Sequence, residues 1–302
     1  MKTENNNFFY FLMLLAMIGW GMSWVSVKIL GRYIDEYEMI LFRFGITAVT
    51  MIPIILWEKH SFRIDLRSFG IVLLASLSFF AYMKFFFLGV KLGTASLGGA
   101  FVTTMIPIIT FVLLALLGTK KVTRRELGAL LMGGVGVMTI LGIWNKTLDE
   151  ILVIYNLYFI LAAFLWALLT VISSYNQRLS ALVFTFYLYA VTVVLDLLFF
   201  VNPSAIQMQT FDATFWLHIG LISLLSTTFA NTIYFIGIEK LGAGAVSSFV
   251  FLVPFAAIGL SILFLGEKIS LWVIVGTAMT LLAVKILNRI TFTKSTGKPL
   301  KT

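Results

Sequence analysis

The 302-residue chain has no cysteine, so it can form neither a disulfide framework nor a thiolate metal site or thiol nucleophile. Histidine is nearly absent, with only His60 and His218, and no phosphate loop or triad-like spacing accompanies them. No catalytic residue, metal or cofactor is therefore expected. Charge is scarce as well: 12% of residues are Asp, Glu, Lys or Arg, about half the share in a soluble domain. What fills the space is apolar, 60% of the chain, with a mean hydropathy of +1.02. A water-soluble protein of this length could not bury that much apolar surface, so the required partner is a lipid bilayer.

The net charge of +9 has no soluble basic domain, finger spacing or aromatic-basic platform behind it, so no nucleic acid is expected. The charges read as topogenic. The run from Phe8 lacks the basic n-region and small-residue cleavage site of a removable signal, which makes it a retained first helix.

About 20 apolar residues cross a hydrocarbon core. Ten such runs emerge: Phe8 to Leu30, Glu36 to Trp57, Arg67 to Val90, Thr94 to Leu117, Arg125 to Ile143, Ile151 to Ser174, Ser180 to Val201, Asp212 to Ile238, Gly242 to Leu265 and Ser270 to Arg289. The breaks are too short for a soluble domain. Counting Lys and Arg on alternate sides gives a lopsided pattern. One side holds Lys2, Lys59, Arg63, Arg67, Lys120, Lys121, Arg124, Arg125, Arg178, Lys240, Lys285, Arg289, Lys294, Lys298 and Lys301, the other only Arg32, Lys91, Lys146 and Lys268. By the positive-inside rule both termini face the cytoplasm of a cell with a multi-pass inner-membrane protein.

The two halves resemble each other. At a shift of 146, Leu15, Ala16, Trp20 and Val25 meet Leu161, Ala162, Trp166 and Val171; at 148, Phe87, Gly89 and Gly128 meet Phe235, Gly237 and Gly276; Pro107 and Pro254 correspond one residue off register. Aligned Trp, Gly and Pro are rarer than aligned Leu. The expected organisation is a five-helix unit over 1–146, a second over 147–290, and a basic cytoplasmic tail over 291–302. An odd number of spans per unit inverts the second unit, the architecture of many secondary transporters. One chain then carries both halves, so a monomer is expected to suffice.

Trp20-Gly21, Arg43, the run Tyr234-Phe-Ile-Gly-Ile-Glu-Lys-Leu-Gly, Pro254, Leu265-Gly266-Glu267-Lys268 and Gly276 together resemble the drug/metabolite transporter superfamily, in its ten-helix form with two EamA domains. Thr119 departs from the pattern, standing where Glu267 stands in the second half. The resemblance implies an all-α membrane protein of ten helices around a central cavity, lined chiefly by helices 1, 3, 4, 6, 8 and 9, with 5 and 10 peripheral. It also implies transport of a small metabolite. Amino acids, aromatic ones included, lead as the substrate class. Multidrug or nucleoside and sugar-phosphate carriage, and a membrane-embedded lipid-modifying enzyme or scaffold, are the alternatives.

Candidate substrate-binding residues follow from polar or unusual side chains inside the runs. Ser223, Thr227, Asn231 and Tyr234 fall on one face of helix 8, and polar groups in lipid need a partner helix or a wet cavity. Trp20 and Trp24, one turn apart, and their counterpart Trp166 lie too deep for interfacial anchors. Gly99, Thr103, Pro107 and Thr110 share a side of helix 4, as Ser247, Phe251 and Pro254 do on helix 9. There a proline frees a backbone carbonyl. Two cations fall within spans: Lys84, with Tyr82 beside it, is assigned to substrate and Arg43 to a structural role, each needing a partner in lipid. Gly133-Gly134-Val-Gly136 reads as a packing cluster. No carboxylate falls clearly at the midplane, which favours facilitated diffusion or exchange over proton symport.

Because the chain is free of cysteine, single Lys2→Cys and Lys301→Cys variants carry unique labels. A membrane-impermeant maleimide is expected to reach both only from the cytoplasmic side. Labelling from opposite sides would break the span count.

Overall fold

A computed structural model describes residues 6–118, 123–145, 147–176, 178–242, 246 and 249–288. The side chains of Ser247 and Phe251, Thr119 and the basic tail lie outside the described residues. Every regular element among the described residues is helical. These are α1 (Asn6–Leu30), α2 (Glu36–Trp57), α3 (Leu66–Leu92), α4 (Ala95–Leu116), α5 (Arg124–Leu141), α6 (Ile154–Ser174), α7 (Ala181–Phe199), α8 (Ala213–Leu241), α9 (Val253–Leu265) and α10 (Leu271–Asn288). A single turn, Leu148–Ile151, precedes α6.

Seven of these, α1 to α4 and α6 to α8, are long and apolar enough to cross a membrane; α9 and the Leu271–Ala283 part of α10 are apolar but shorter. Large apolar side chains such as Leu66, Leu198 and Leu263 stand exposed around the outside. The protein is an all-α, multi-pass membrane protein.

The helix starts are written locally. Asp35, Asp65, Thr94, Thr123, Ser180 and Asp212 each accept a hydrogen bond from a backbone N–H of the first turn that follows, satisfying donors a helix start leaves open. Asp35 and Thr123 complete capping boxes with Glu38 and Glu126. Pro254 stands in the first turn of α9, behind the 3-10 turn Val250–Leu252, where its missing N–H is not needed.

Packing interleaves the two halves. α1 lies on α8 and α9, α6 on α3 and α4, α7 on α2 and α3, and α4 on α9, while α5 and α10 pair with each other beside α4. Small residues set the closest crossings. Gly21 of α1 and Gly99 of α4 both abut α9, where an added Cβ would overlap Ala256 and Ala257 respectively. Gly136 and Gly276 bring α5 and α10 into backbone contact: a Cβ on Gly276 would stand 2.5 Å from both the Gly136 carbonyl oxygen and the Ile140 nitrogen. The glycine cluster of α5 is thus a packing face, although Gly134 itself meets nothing within 4 Å.

Contacts gather at two opposite faces of the bundle. At the face holding the α1–α2 turn, Lys28 donates to the carbonyls of Val90 (2.9 Å), Lys91 (3.0 Å) and Gly93 (2.5 Å), closing the end of α3. Glu267 accepts from the backbone N–H groups of Ala95 and Ser96, both at 2.9 Å, at the start of α4. The Tyr33 hydroxyl donates to the Asp212 carboxylate at 3.0 Å. That carboxyl is held below its ordinary range, first by the Phe215 N–H and then by Tyr33. At the face holding the α2–α3 turn, Arg178 pairs with Asp65 at 2.5 Å, Tyr187 donates to the Phe62 carbonyl at 2.5 Å, and Glu239 accepts from the Ala181 N–H at 3.1 Å.

Two outcomes are expected. Gly276→Ala should lower stability by about 1–3 kcal/mol because backbone cannot give way, whereas Gly128→Ala, inside α5 with open space around it, should raise the melting temperature slightly through helix propensity. The Asp65 carboxyl is lowered to about 2, chiefly by the Ser68 N–H and then by Arg178. A depressed carboxyl contributes stability above its unfolded pKa and loses it as pH falls through the folded one. The small melting difference between native protein and Asp65→Asn should therefore be constant at neutral pH and fade between about pH 4 and pH 2.

Candidate functional site

Where α1, α2, α3, α4, α6, α8 and α9 converge, the bundle holds a small cavity of about 30 Å³. Its wall combines six aromatic and five polar side chains with four other apolar ones. Trp20, Ser23 and Trp24 come from α1, Phe79, Tyr82, Met83 and Phe86 from α3, Val102, Thr103 and Ile106 from α4, Trp166 from α6, Ser226 and Asn231 from α8, Val253 from α9 and Arg43 from α2. Larger hollows lie elsewhere: one of about 290 Å³ near Ser173, Asn176 and Glu239, and an apolar one of about 520 Å³ between α4 and α5. The first borders the α2–α3 face and the second lacks converging polar groups, so the chemistry belongs to the centre.

A chain of hydrogen bonds runs through that centre. The Trp20 indole N–H donates to Asn231 Oδ1 at 2.6 Å, and Asn231 Nδ2 donates to the Tyr189 hydroxyl at 2.7 Å. One amide therefore ties α1, α8 and α7 together with both its ends used. Around it the rings interlock: Trp20 meets Trp166 edge-on at 5.0 Å and Tyr234 at 4.9 Å, Tyr82 meets Trp166 at 4.7 Å, and Trp24 meets Phe86 at 4.6 Å. Such pairs contribute about 0.5–1.5 kcal/mol each beyond burial. Arg43 is 5% exposed. Its Nε donates to Thr227 at 2.6 Å and its Nη2 to Ser226 at 3.3 Å.

Local winding of α8 makes this possible. Over Leu221–Phe229 the helix is a π-helix, and the Thr227 and Thr228 hydroxyls donate five residues back, to the carbonyls of Ile222 and Ser223. π segments are rare and gather at functional sites. Here the wider turn puts Ser226 and Thr227 side by side against Arg43, while Thr47 of α2 reaches the Ser223 carbonyl at 3.1 Å.

Of the residues singled out from sequence, Trp20, Trp24, Tyr82, Thr103, Trp166 and Asn231 line the cavity. Thr227 and Tyr234 stand directly behind it, the one bonded to Arg43 and the other to the Thr170 hydroxyl at 3.0 Å. Pro107 and Pro254 are buried beside the lining residues Ile106 and Val253. Lys84 is elsewhere. It is part-buried and reaches toward the start of α2, donating to the Tyr37 hydroxyl at 2.9 Å and lying 5.4 Å from that ring's centre. Arg43, expected to be structural, is the cation that lines the cavity. Residues not singled out include Ser23, one turn from Trp20, and the Phe79, Met83, Phe86 stripe of α3. Helical spacing from Trp20 and Tyr82 was the available signal. Tyr189 carried none. Asp196 of α7 is fully buried with neither carboxylate oxygen bonded among the described residues, and it does not line the cavity.

Asn231→Ala is expected to orphan the Trp20 N–H donor, remove the donor to the Tyr189 hydroxyl and lower stability by about 1–3 kcal/mol, since hydrogen bonds between membrane helices are each modest. Thermal unfolding in detergent, with Trp20→Phe in a double-mutant cycle, checks it. Additivity of the two would deny the bond.

Comparison with known proteins bears on what this site serves. A model of the EamA-like transporter family matches residues 7–142 and again 153–289. An uncharacterised transporter of Archaeoglobus fulgidus is 22% identical over 91% of this chain and 95% of its own length. An S-adenosylmethionine uptake transporter of Rickettsia prowazekii is 23% identical over 78% of this chain and 76% of its own. A solved crystal structure superposes with a TM-score of 0.67 at 16% identity, covering 92% of this chain and 96% of that one, a likeness of fold. These names are those of transporters rather than enzymes. With the family's model laid twice along nearly its whole length, the chain belongs to the EamA-like transporter family, as a small-molecule transporter of the membrane.

Proposed function

We propose that the protein is an inner-membrane secondary transporter, an exporter or facilitator and exchanger, that moves small metabolites by alternating access through the central cavity. Amino acids, aromatic ones included, are the leading substrate class. The observation that carries this reading is the lining of aromatic and polar side chains that the two family-matched segments build jointly around the central cavity.

Ten spans in two inverted units, 1–146 and 147–290, with both termini and the basic tail cytoplasmic, complete the proposal. Support comes from paired tethers. Asp65 and Asp212 each cap the third helix of their unit, and each reaches the segment after the first helix of the other unit, through Arg178 and Tyr33. The two links sit on opposite faces, as a two-fold axis in the membrane plane requires. The packing of α6 on α3 and α4 has its counterpart in that of α1 on α8 and α9. With both units in one chain, a monomer is the working form.

A second substrate reading follows the Rickettsia relative's printed name. The faces of Trp20, Trp24 and Trp166 would accept a sulfonium or an adenine ring through cation–π and stacking contacts.

In proteoliposomes preloaded with unlabelled solute, labelled phenylalanine, tryptophan or S-adenosylmethionine should show saturable counterflow, reduced at least tenfold in Trp166→Ala and unaffected by collapsing a proton gradient. Counterflow confined to sugars or nucleosides would move the substrate class. Strict dependence on the proton gradient would overturn the exchange reading.

A further inference from the structure

Lys28, Lys84 and Arg43, three cations on the helices around the centre, differ in what they bond. The Lys28 ammonium is saturated by three carbonyls. Lys84 donates to the Tyr37 hydroxyl away from the cavity. Arg43 lines the cavity, buried; among the described residues its hydrogen bonds run from Nε and Nη2 to two neutral hydroxyls, and its guanidinium carbon stands 5.5 Å from the centre of the Phe44 ring. A guanidinium is always ionised and carries five N–H donors in a planar fork. Among the described residues no carboxylate pairs with it.

An arginine that served only to staple helices would spend its fork on carbonyls or a carboxylate, as Lys28 does with its ammonium, because an uncompensated charge out of water is costly. The missing counter-charge has an obvious source in the solute. Asn231 is neutral, with its carbonyl oxygen accepting from Trp20 and one amide N–H given to Tyr189, so it supplies no counter-charge.

Resting on the central-site reading above, we infer that Arg43 is the anion-binding residue of the transport site and that the solute carries one carboxylate docked on its guanidinium, with an apolar or aromatic body among Trp20, Trp24, Tyr82 and Trp166. A single cation in the cavity matches a single negative charge. A phosphate monoester, carrying nearly two, would leave one uncompensated. The fork also explains arginine over lysine, because it meets a carboxylate through two parallel N–H bonds.

Matched pairs that differ only at the acid test this: L-phenylalanine with L-phenylalaninamide, and 3-phenylpropionate with its amide. Binding to the purified protein is read by tryptophan fluorescence and thermal stabilisation, and uptake by proteoliposomes. Each acid is expected to bind at least tenfold more tightly than its amide. Arg43→Gln should erase that ratio and Arg43→Lys keep part of it; if the glutamine variant does not fold, the native and lysine ratios decide. Amides that bind as well as acids, or a ratio unchanged in Arg43→Gln, would overturn the assignment, while uptake of those same solutes would leave the carrier reading standing. Absence of uptake for every compound would remove both.

Discussion

Polar side chains inside a lipid-solvated bundle have no water to fall back on, and the hydrogen-bonded chain from Trp20 through Asn231 to Tyr189 is where this protein meets that constraint. One amide fixes the mutual rotation of α1, α7 and α8. With those three set, Trp166 and Tyr82 can close around Trp20, and the π-helical stretch of α8 faces α2 with the hydroxyls that hold Arg43. Remove the amide and the aromatic wall loses its frame, although every helix keeps its own backbone bonds.

The same accounting indicates which contacts yield during transport. The tethers at the two faces are partly or fully solvated: Arg178 and Asp65 are 59% and 42% exposed as side chains. Exposed ion pairs contribute only about 0–1 kcal/mol. The centre combines several ring pairs with bonds shielded from water, and so resists separation more. In the alternating-access cycle proposed above, breaking one face at a time while the middle rocks is therefore the low-cost route. The faces also differ in chemistry. Glu267 clamps two N–H groups at the start of α4 on one side, and its sequence counterpart in the first half is Thr119. The two closures need not be equally strong.

Much of this could be read from the sequence because lipid makes the pattern coarse. Apolar runs gave most elements to within a few residues, the exception being the ninth, expected from Gly242 and described as an α-helix from Val253, and deep tryptophans and an in-span asparagine pointed to the centre. Three things stayed hidden for physical reasons. The π-helical winding has no compositional mark and shifts which faces of α8 point where, so the evenly spaced stripe Ser223, Thr227, Asn231 and Tyr234 divides between the cavity wall and the layer behind it. That Arg43 rather than Lys84 lines the cavity depends on reach: a long flexible lysine snorkels toward the helix end, whereas the shielded guanidinium stays with its hydroxyls. Tyr189 is one of ten tyrosines, and nothing local separates it from the rest.

The account stands on one claim: two opposed faces open alternately about a packed aromatic centre. The absence of native cysteine permits paired spin labels, Leu92→Cys with Lys268→Cys across one face and Ser61→Cys with Tyr175→Cys across the other. Electron–electron distance measurements in liposomes, with and without L-phenylalanine, are the direct test. Two populations at each face, shifting in opposite senses so that one pair lengthens as the other shortens, are predicted. Distances that stay single-valued at both faces, or that lengthen together, would contradict it.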